Sequence, residues 1–439
     1  MATSSPRVPA EISDYIIDLL RDDRATLSLC ALTCHSWLLR AQKHAFRKVS
    51  LVSAERYEQL ESLVLSNPRI ASLILSLSIG PIQDPVGGRL DREWPLVLLK
   101  LNAVDELDVV GWAAGCVSEK VIRHLPVLFS EVRSIRLSQI HFWRPKAFDL
   151  FRMLCACPKL SALYLDRIQW QQLHGGRAGL FFITKNVPLG SVLAEIVPKQ
   201  PMYIDTLQVT VCHRSIALWL IRGPLHLHVR RLTVSWSQQP ATLIVLHSLL
   251  QAAGDYLDEL TLELDARSFN ARTESTLSHL DFSQNPRLSS LHVVFDGVES
   301  VDLPHLVVVH SLLRVVHREC QALRRITISL SRNDCDPAVI ATLQRPPSVR
   351  AAAWQYVDAA LATLAHGHPG ITITIKVDWT QSPISWAEET AGRIIEKLPS
   401  IRRASCQLQV ICGRSQDKIS IFRGLSGGWQ EFHKEYPCP

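Results

Sequence analysis

The chain carries two different spacings of hydrophobic residues, one after the other. Between residues 8 and 47 the spacing is helical. Ile12, Ile16, Leu19 and Leu20 make one stripe of a first helix, and Pro9 suits the first turn of that helix. Asp22-Asp23 breaks the stripe and can start a second helix, with Leu27, Leu29, Cys30 and Leu32 as its apolar side. Trp37, Leu38, Ala41 and Phe46 suggest a third. So short a segment cannot enclose a complete core. Its leftover apolar face must be covered either by the rest of the chain or by a partner.

From about residue 48 the spacing changes to a repeated apolar-x-x-apolar-x-apolar pattern. It occurs from Ile70 to Leu75, Val104 to Val109, Val132 to Leu137, Leu160 to Leu165 and Ile204 to Val209. It returns from Val229 to Val234, Leu257 to Leu262, Leu288 to Val293 and Leu323 to Ile328, with looser versions at Ile371–Val377 and Ile401–Val410. Spacings of about 25 to 44 residues leave room for one strand and one helix per unit. Helical spacing between the patterns predicts helices over Lys146–Cys157, Ala241–Ala253, Pro304–Ala322, Trp354–His366 and Ala387–Leu398. Pro68, Pro158, Pro286 and Pro399 stand where a helix must end before a strand.

Within the strand patterns alternate positions are polar, as in Thr206, Gln208, Thr210 and in Arg325, Thr327, Ser329. One face of each strand is therefore wet. A closed (β/α) barrel, whose strands are buried on both faces, is the competing architecture and fits this alternation poorly. The fold class expected is α/β: an N-terminal three-helix module (8–47), an open, irregular α/β solenoid (48–423) and a tail (424–439).

Composition narrows the class. The chain has 439 residues, 47% of them hydrophobic and 20% charged, a balance that can bury a core. Its most apolar stretch, Leu303–Val316, is interrupted by Pro304, His305, His310 and Arg314 and is too short to span a membrane. The first residues have no apolar run behind a basic end, so no signal peptide is expected. The 11 cysteines show no CxxC pair and no zinc-finger spacing, which points to reduced thiols in a cytoplasmic or nuclear setting. The net charge of +6 is spread along the chain. The pairs Arg230-Arg231, Arg324-Arg325 and Arg402-Arg403 read as exposed strand faces.

The residues of the helical module carry a resemblance. Val8-Pro9-Ala10-Glu11-Ile12, then Ile16, Leu20 and Leu27, then Cys30-Ala31-Leu32-Thr33-Cys34-His35-Ser36-Trp37, and finally His44 to Arg47 resemble the F-box. The likeness is closest to the F-box-like modules common in mushroom-forming fungi (basidiomycete type). Val8, Thr33 and His35 depart from the Leu, Val and Arg usual there. The resemblance implies docking to the Skp adaptor, and through it to a cullin, in an SCF-type ubiquitin ligase. The matching positions Val8, Pro9, Glu11, Ile12, Ile16, Leu20, Leu32, Cys34, His35 and Trp37 would form the module's core or meet the adaptor, with Trp37 as an internal anchor. The later repeat resembles a degenerate leucine-rich repeat, in which Ile140 and Ile168 stand where that family places Asn or Cys. Turns without that side-chain ladder must be held by apolar packing.

No GxxxxGK[ST] or HExxH motif occurs. Gly175–Gly179 reads as a surface loop. His226-x-His228 and His366-x-His368 lack a third ligand, and Asp166, Glu263, Asp265 and Asp296 read as scattered acids on a wet face, so no metal, cofactor or catalytic role is assigned. Trp143, Trp170 and Trp236 follow strands and read as packing between strand and helix. The wet face instead offers recognition, through Arg136, Tyr164, Gln208, Arg231, Glu259, His292 and Arg325. Glu259 and Glu263 among the basic groups favour a protein partner over nucleic acid. The segments 171–202, 337–348 and 424–439 could contribute to it. The function expected is a non-enzymatic substrate receptor of a ubiquitin ligase, its target unknown. The alternatives are an interaction solenoid merely capped by the helices and, behind it, a barrel enzyme.

Overall fold

Alternating apolar and polar residues form parallel strands here, with apolar positions such as Leu107, Leu137, Leu207 and Leu232 buried. The computed structural model describes residues 9–80, 100–111, 130–143, 153–171, 202–212, 214–222, 225–236, 240–265, 280–296, 306–332, 351–379, 391–404, 406–413, 418–423 and 429–432. The chain forms two units, Met1–Ile204 with Pro224–His226, and Asp205–Gly223 with Leu227–Pro439. Gly175–Gly179, the segment 337–348 and nearly all of 171–202 lie outside the described residues.

The first unit opens with α1 (Ala10–Leu19), α2 (Arg24–Thr33) and α3 (His35–Arg47). The Asp23 carboxylate accepts from the Thr26 amide at 3.1 Å and so caps α2. Pro9 lies one position before the first helical residue of α1, where its missing N–H is not needed. β1 (Lys48–Leu51), α4 (Ala54–Ser66) and a 3-10 segment, Pro68–Leu73, follow. Then come β2 (Ser76–Ile79), β3 (Glu106–Val110), β4 (Ser134–Ser138), β5 (His141–Trp143), β6 (Ala162–Asp166) and β7 (Gln169–Gln171). β1, β2, β3, β4 and β6 pair in that order, all parallel, and β5 pairs with β7 separately.

Two corrections concern the pattern. The expected first repeat, Ile70–Leu75, is out of frame. Its first four residues belong to the 3-10 segment, and the strand register aligns Leu77 with Leu107, so the true motif runs Ile74-x-x-Leu77-x-Ile79. A further motif precedes it, Phe46-x-x-Val49-x-Leu51, whose strand β1 pairs with β2.

The second unit holds β8 (Thr206–Thr210), α5 (Arg214–Arg222), β9 (Arg231–Trp236), α6 (Pro240–Ala253), β10 (Glu259–Asp265) and β11 (Ser290–Asp296). It continues with α7 (Leu306–Glu319), β12 (Arg325–Arg332), α8 (Ala351–Gly367), β13 (Thr372–Trp379) and β14 (Gln407–Gly413). α6, α7 and α8 match three of the expected helices to within a few residues, and residues 391–396 are helical within a fourth. β8 through β14 are parallel and paired in chain order. β15 (Lys418–Arg423) and β16 (Trp429–Phe432) add two antiparallel strands, the second within the segment expected as a tail.

The fold is thus mixed α/β with twelve parallel main-sheet strands among the described residues. They do not close, because β1 pairs only with β2 and β16 only with β15. That excludes the barrel alternative, which needs its first strand on its last.

Register explains the packing. In the second unit Leu207, Leu232, Leu260, Leu291, Ile326, Ile373 and Leu408 form one buried row across the strands. Val209, Val234, Leu262, Val293, Ile328, Ile375 and Val410 form the next. Burying one such side chain is worth roughly 1.5–3 kcal/mol, so these rows dominate the unit's stability.

The turns repeat as well. At strand starts two consecutive amides donate to one carbonyl, as Arg230 and Arg231 do to Asp205, and Arg324 and Arg325 to Ser289. Just past strand ends, Gly111, Gln139, Arg167 and Val211 all have φ between 49° and 66°. Ile140 and Ile168, immediately after two of these turns, are fully buried, so apolar packing does hold them. Val211 is a β-branched residue in the left-handed region, a conformation that costs roughly 1–2 kcal/mol, and its side chain is half exposed. Val211→Gly is therefore expected to raise the unfolding free energy by about 0.5–1 kcal/mol, read as a higher urea midpoint. A lower midpoint would show that the side chain packs usefully.

Candidate docking surfaces

The three N-terminal helices meet in a small core of Ile17, Leu27, Cys30 and Ala41, with Leu20, Ala31, Trp37 and Ala45 packed against it. α1 is apolar on two adjacent stripes. Ser13, Ile17 and Leu20 face or border the core, whereas Ile12, Tyr15, Ile16 and Leu19 are 44–67% exposed. Of the sequence stripe Ile12, Ile16, Leu19 and Leu20, only Leu20 packs against the core. α2 divides similarly. Leu27 and Cys30 are buried, while Leu29 and Leu32 are 66% and 84% exposed, so its four apolar residues do not share one side.

The matching positions divide into those that pack in the core and those that are exposed. Leu20 and Trp37 belong to the core, and Trp37 is an internal anchor. Pro9, Glu11, Ile12, Ile16, Leu32, Cys34 and His35 are exposed, and Val8 lies outside the described residues. Cys34 is the N-cap of α3, with its sulfur 3.1 Å from the Ser36 hydroxyl. That hydroxyl, and next the Trp37 amide, hold its thiol below the usual cysteine value.

An ion cluster that sequence reasoning missed ties α1 to α3. Arg40 pairs with the Asp18 carboxylate through two nitrogens, Nε at 2.6 Å, and His44 Nε2 lies 2.7 Å from Asp18 Oδ1. These contacts, Arg40 first, hold the Asp18 carboxyl well below its ordinary 3.8. A carboxyl depressed in the folded state stabilises above its unfolded value and loses that contribution as pH falls through the range below it. The midpoint of thermal unfolding of the intact chain is expected to fall more steeply between about pH 5 and pH 3 than in Asp18→Asn. Parallel curves would show that Asp18 carries none of the acid sensitivity.

The second surface is the polar face of the sheets. In the first unit Ser50, Ser78, Asp108, Arg136 and Tyr164 form one cross-strand row. Arg136 lies 4.6 Å over the Tyr164 ring, and Asp108 accepts from the Ser78 hydroxyl at 3.3 Å. In the second unit Gln208, Thr233, Thr261, His292, Thr327, Thr374 and Gln409 form the corresponding row. Thr206, Arg231, Glu259, Ser290, Arg325, Thr372 and Gln407 lie along the strand starts. The expected recognition residues therefore fall on polar faces, Arg136 and Tyr164 in one unit and Gln208, Arg231, Glu259, His292 and Arg325 in the other.

This face is not uniformly wet. Thr327 and Thr374 are buried, and burial, followed by the charge of Lys376, pushes the His292 imidazole down to about 4. His292 is then neutral at physiological pH and lies 2.7 Å from the Ser329 hydroxyl. Alternation alone could not foresee this.

Several of the remaining candidates have structural partners, and the Asp265 and Asp296 side chains lie outside the described ones. His226 stacks on Tyr203, His228 on Tyr256, and His368 meets His317 edge to face. Asp166 lies 3.9 Å from Arg167, and Glu263 accepts from Thr210 at 3.4 Å. Trp143, Trp170 and Trp236 stand within strands rather than after them. Among the described residues no three metal-ligating side chains gather, and no helix is long and apolar enough to cross a membrane.

No family model matches the chain, and no curated protein matches it either. The fold and these surfaces define a mixed α/β protein of open parallel strands, whose N-terminal helices present an apolar face.

Proposed function

We propose that the chain is the substrate-recognition subunit of an SCF-type ubiquitin ligase. In this reading residues 8–47 are an F-box-like module that docks a Skp-type adaptor, and the strand-and-helix repeats are a degenerate leucine-rich-repeat-like solenoid that binds a protein target. The observation that carries the reading is the second apolar stripe. Ile12, Tyr15, Ile16 and Leu19 on α1, with Leu29 and Leu32 on α2, stay exposed while a separate set of residues fills the module's core. A helical cap serving only its own chain would have no use for that stripe, whereas an apolar groove on a partner would.

The chain itself does no chemistry in this reading. It holds a target beside the transferring enzyme, and proximity raises the rate. The polar sheet faces supply the target site, with Arg136 and Tyr164 in the first unit and Gln208, Arg231, Glu259, His292 and Arg325 in the second. Co-expression with a Skp adaptor is expected to give a one-to-one complex that survives gel filtration. Elution of the chain alone would leave the alternative, an interaction scaffold unconnected with ubiquitination.

A further inference from the structure

Parallel strands bring all their starts to one edge of a sheet, and in the second unit that edge is rich in arginine. Along β8 to β10 the arginines are matched by acids. Arg231 lies 3.5 Å from Asp205 and Arg230 4.0 Å from Asp258, with Glu259 beside them in register. Along β11 to β14 the matching stops. Arg287, Arg324, Arg325 and Arg403 are all exposed, and none forms an ion pair among the described residues.

The backbone fixes this arrangement. The amides of Arg324 and Arg325 both donate to the Ser289 carbonyl, and the Arg324 carbonyl accepts from Thr372. Arg325 is thereby held between Ser290 and Thr372. The polar face running from this edge bears Lys376 and the hydroxyls of Ser290, Ser329 and Thr372. Asp296 and Asp378 also stand in β11 and β13, each six positions along the strand from Ser290 and Thr372 and so away from the arginine edge. Guanidinium groups at fixed spacing, with hydroxyl donors beside them, match carboxylates in geometry as well as charge.

We infer that the strand-start edge of β11–β14 binds an acidic peptide segment, rich in aspartate and glutamate, of a protein partner. One feature separates this ligand from a nucleic acid: the described side chains of the β11–β14 face offer no Phe, Tyr or Trp on which bases could stack. The inference names the chemistry of the target in the receptor reading, but its test uses no adaptor, so the two can fail separately.

The test is fluorescence anisotropy with the full chain and a labelled ten-residue oligoglutamate, alongside oligoglutamine and a single-stranded DNA of equal length. Oligoglutamate is expected to bind in a salt-dependent way and oligoglutamine not at all. Arg324→Glu with Arg325→Glu is expected to weaken binding at least about ten-fold. The milder Arg324→Gln with Arg325→Gln, whose fold is checked by circular dichroism, is expected to weaken it in the same direction. Arg56→Gln with Arg69→Gln, two exposed arginines of the first unit outside any proposed binding face, is expected to change it little. The inference is overturned if oligoglutamate does not bind, if a folded 324/325 variant binds it equally well, or if DNA binds more tightly.

Discussion

Ile16→Asp combined with Leu32→Asp is expected to leave the chain folded and to remove it from the adaptor complex. Both side chains are exposed, at 44% and 84%, and neither belongs to the cluster around Ile17 and Leu27. Charging them therefore costs the free chain little. In the proposed complex both would be desolvated. Two aliphatic side chains at about 2 kcal/mol each come to about 4 kcal/mol. That is about a thousand-fold in affinity before the cost of burying two carboxylates is added. Gel filtration of the co-expressed pair is expected to show two separate peaks, with the circular dichroism of the variant unchanged. The control is Ile17→Asp, one residue away on α1, which places a charge in the core and is expected to unfold the module. If the double variant still co-elutes with the adaptor, docking does not use this stripe.

The second large effect is on stability. Asp358, on α8, is buried with 3% exposure, and its two oxygens accept from the amides of Ser400 and Ile401 at 2.8 and 2.9 Å. It anchors the turn leading into β14. Asp358→Ala leaves the buried Ile401 amide and the part-buried Ser400 amide without their acceptor, at roughly 1–3 kcal/mol for a fully buried group, so a loss of about 2–3 kcal/mol is expected in urea unfolding. Asn285→Ala is the comparison. Its buried amide donates to the Leu250 and Gly254 carbonyls at 2.9 and 2.7 Å and closes the end of α6. A loss below about 1 kcal/mol for Asp358→Ala would show that water replaces the carboxylate.

These two residues mark the limit of reading the chain alone. Asn285 stands beside Pro286 and Asp358 inside a regular helix pattern, and neither position carries any local signal. Their partners lie 31 to 43 residues away and become neighbours only because successive repeats stack. The same holds for Asp18, Arg40 and His44, which converge from two helices.

The strand pattern was far more legible. Leu207, Leu232 and Leu260 occupy equivalent places in their motifs and are direct register partners in the sheet. The one displaced motif, Ile70–Leu75, failed because Ile70, Leu73 and Leu75 satisfy the same spacing as Ile74, Leu77 and Ile79, and apolar spacing does not distinguish a 3-10 turn from a strand.

The sequence by itself determined the parallel α/β architecture, the polar face of the strands and the separate helical start. Each of these follows from a local period of two or 3.6 residues that any window of the chain displays. Only the tertiary structure decided which stripe of α1 is core and which is free. Both stripes have helical spacing and are offset by a single residue, about 100° around the helix. What separates them is where α2 and α3 pack, and that depends on contacts far apart in the chain.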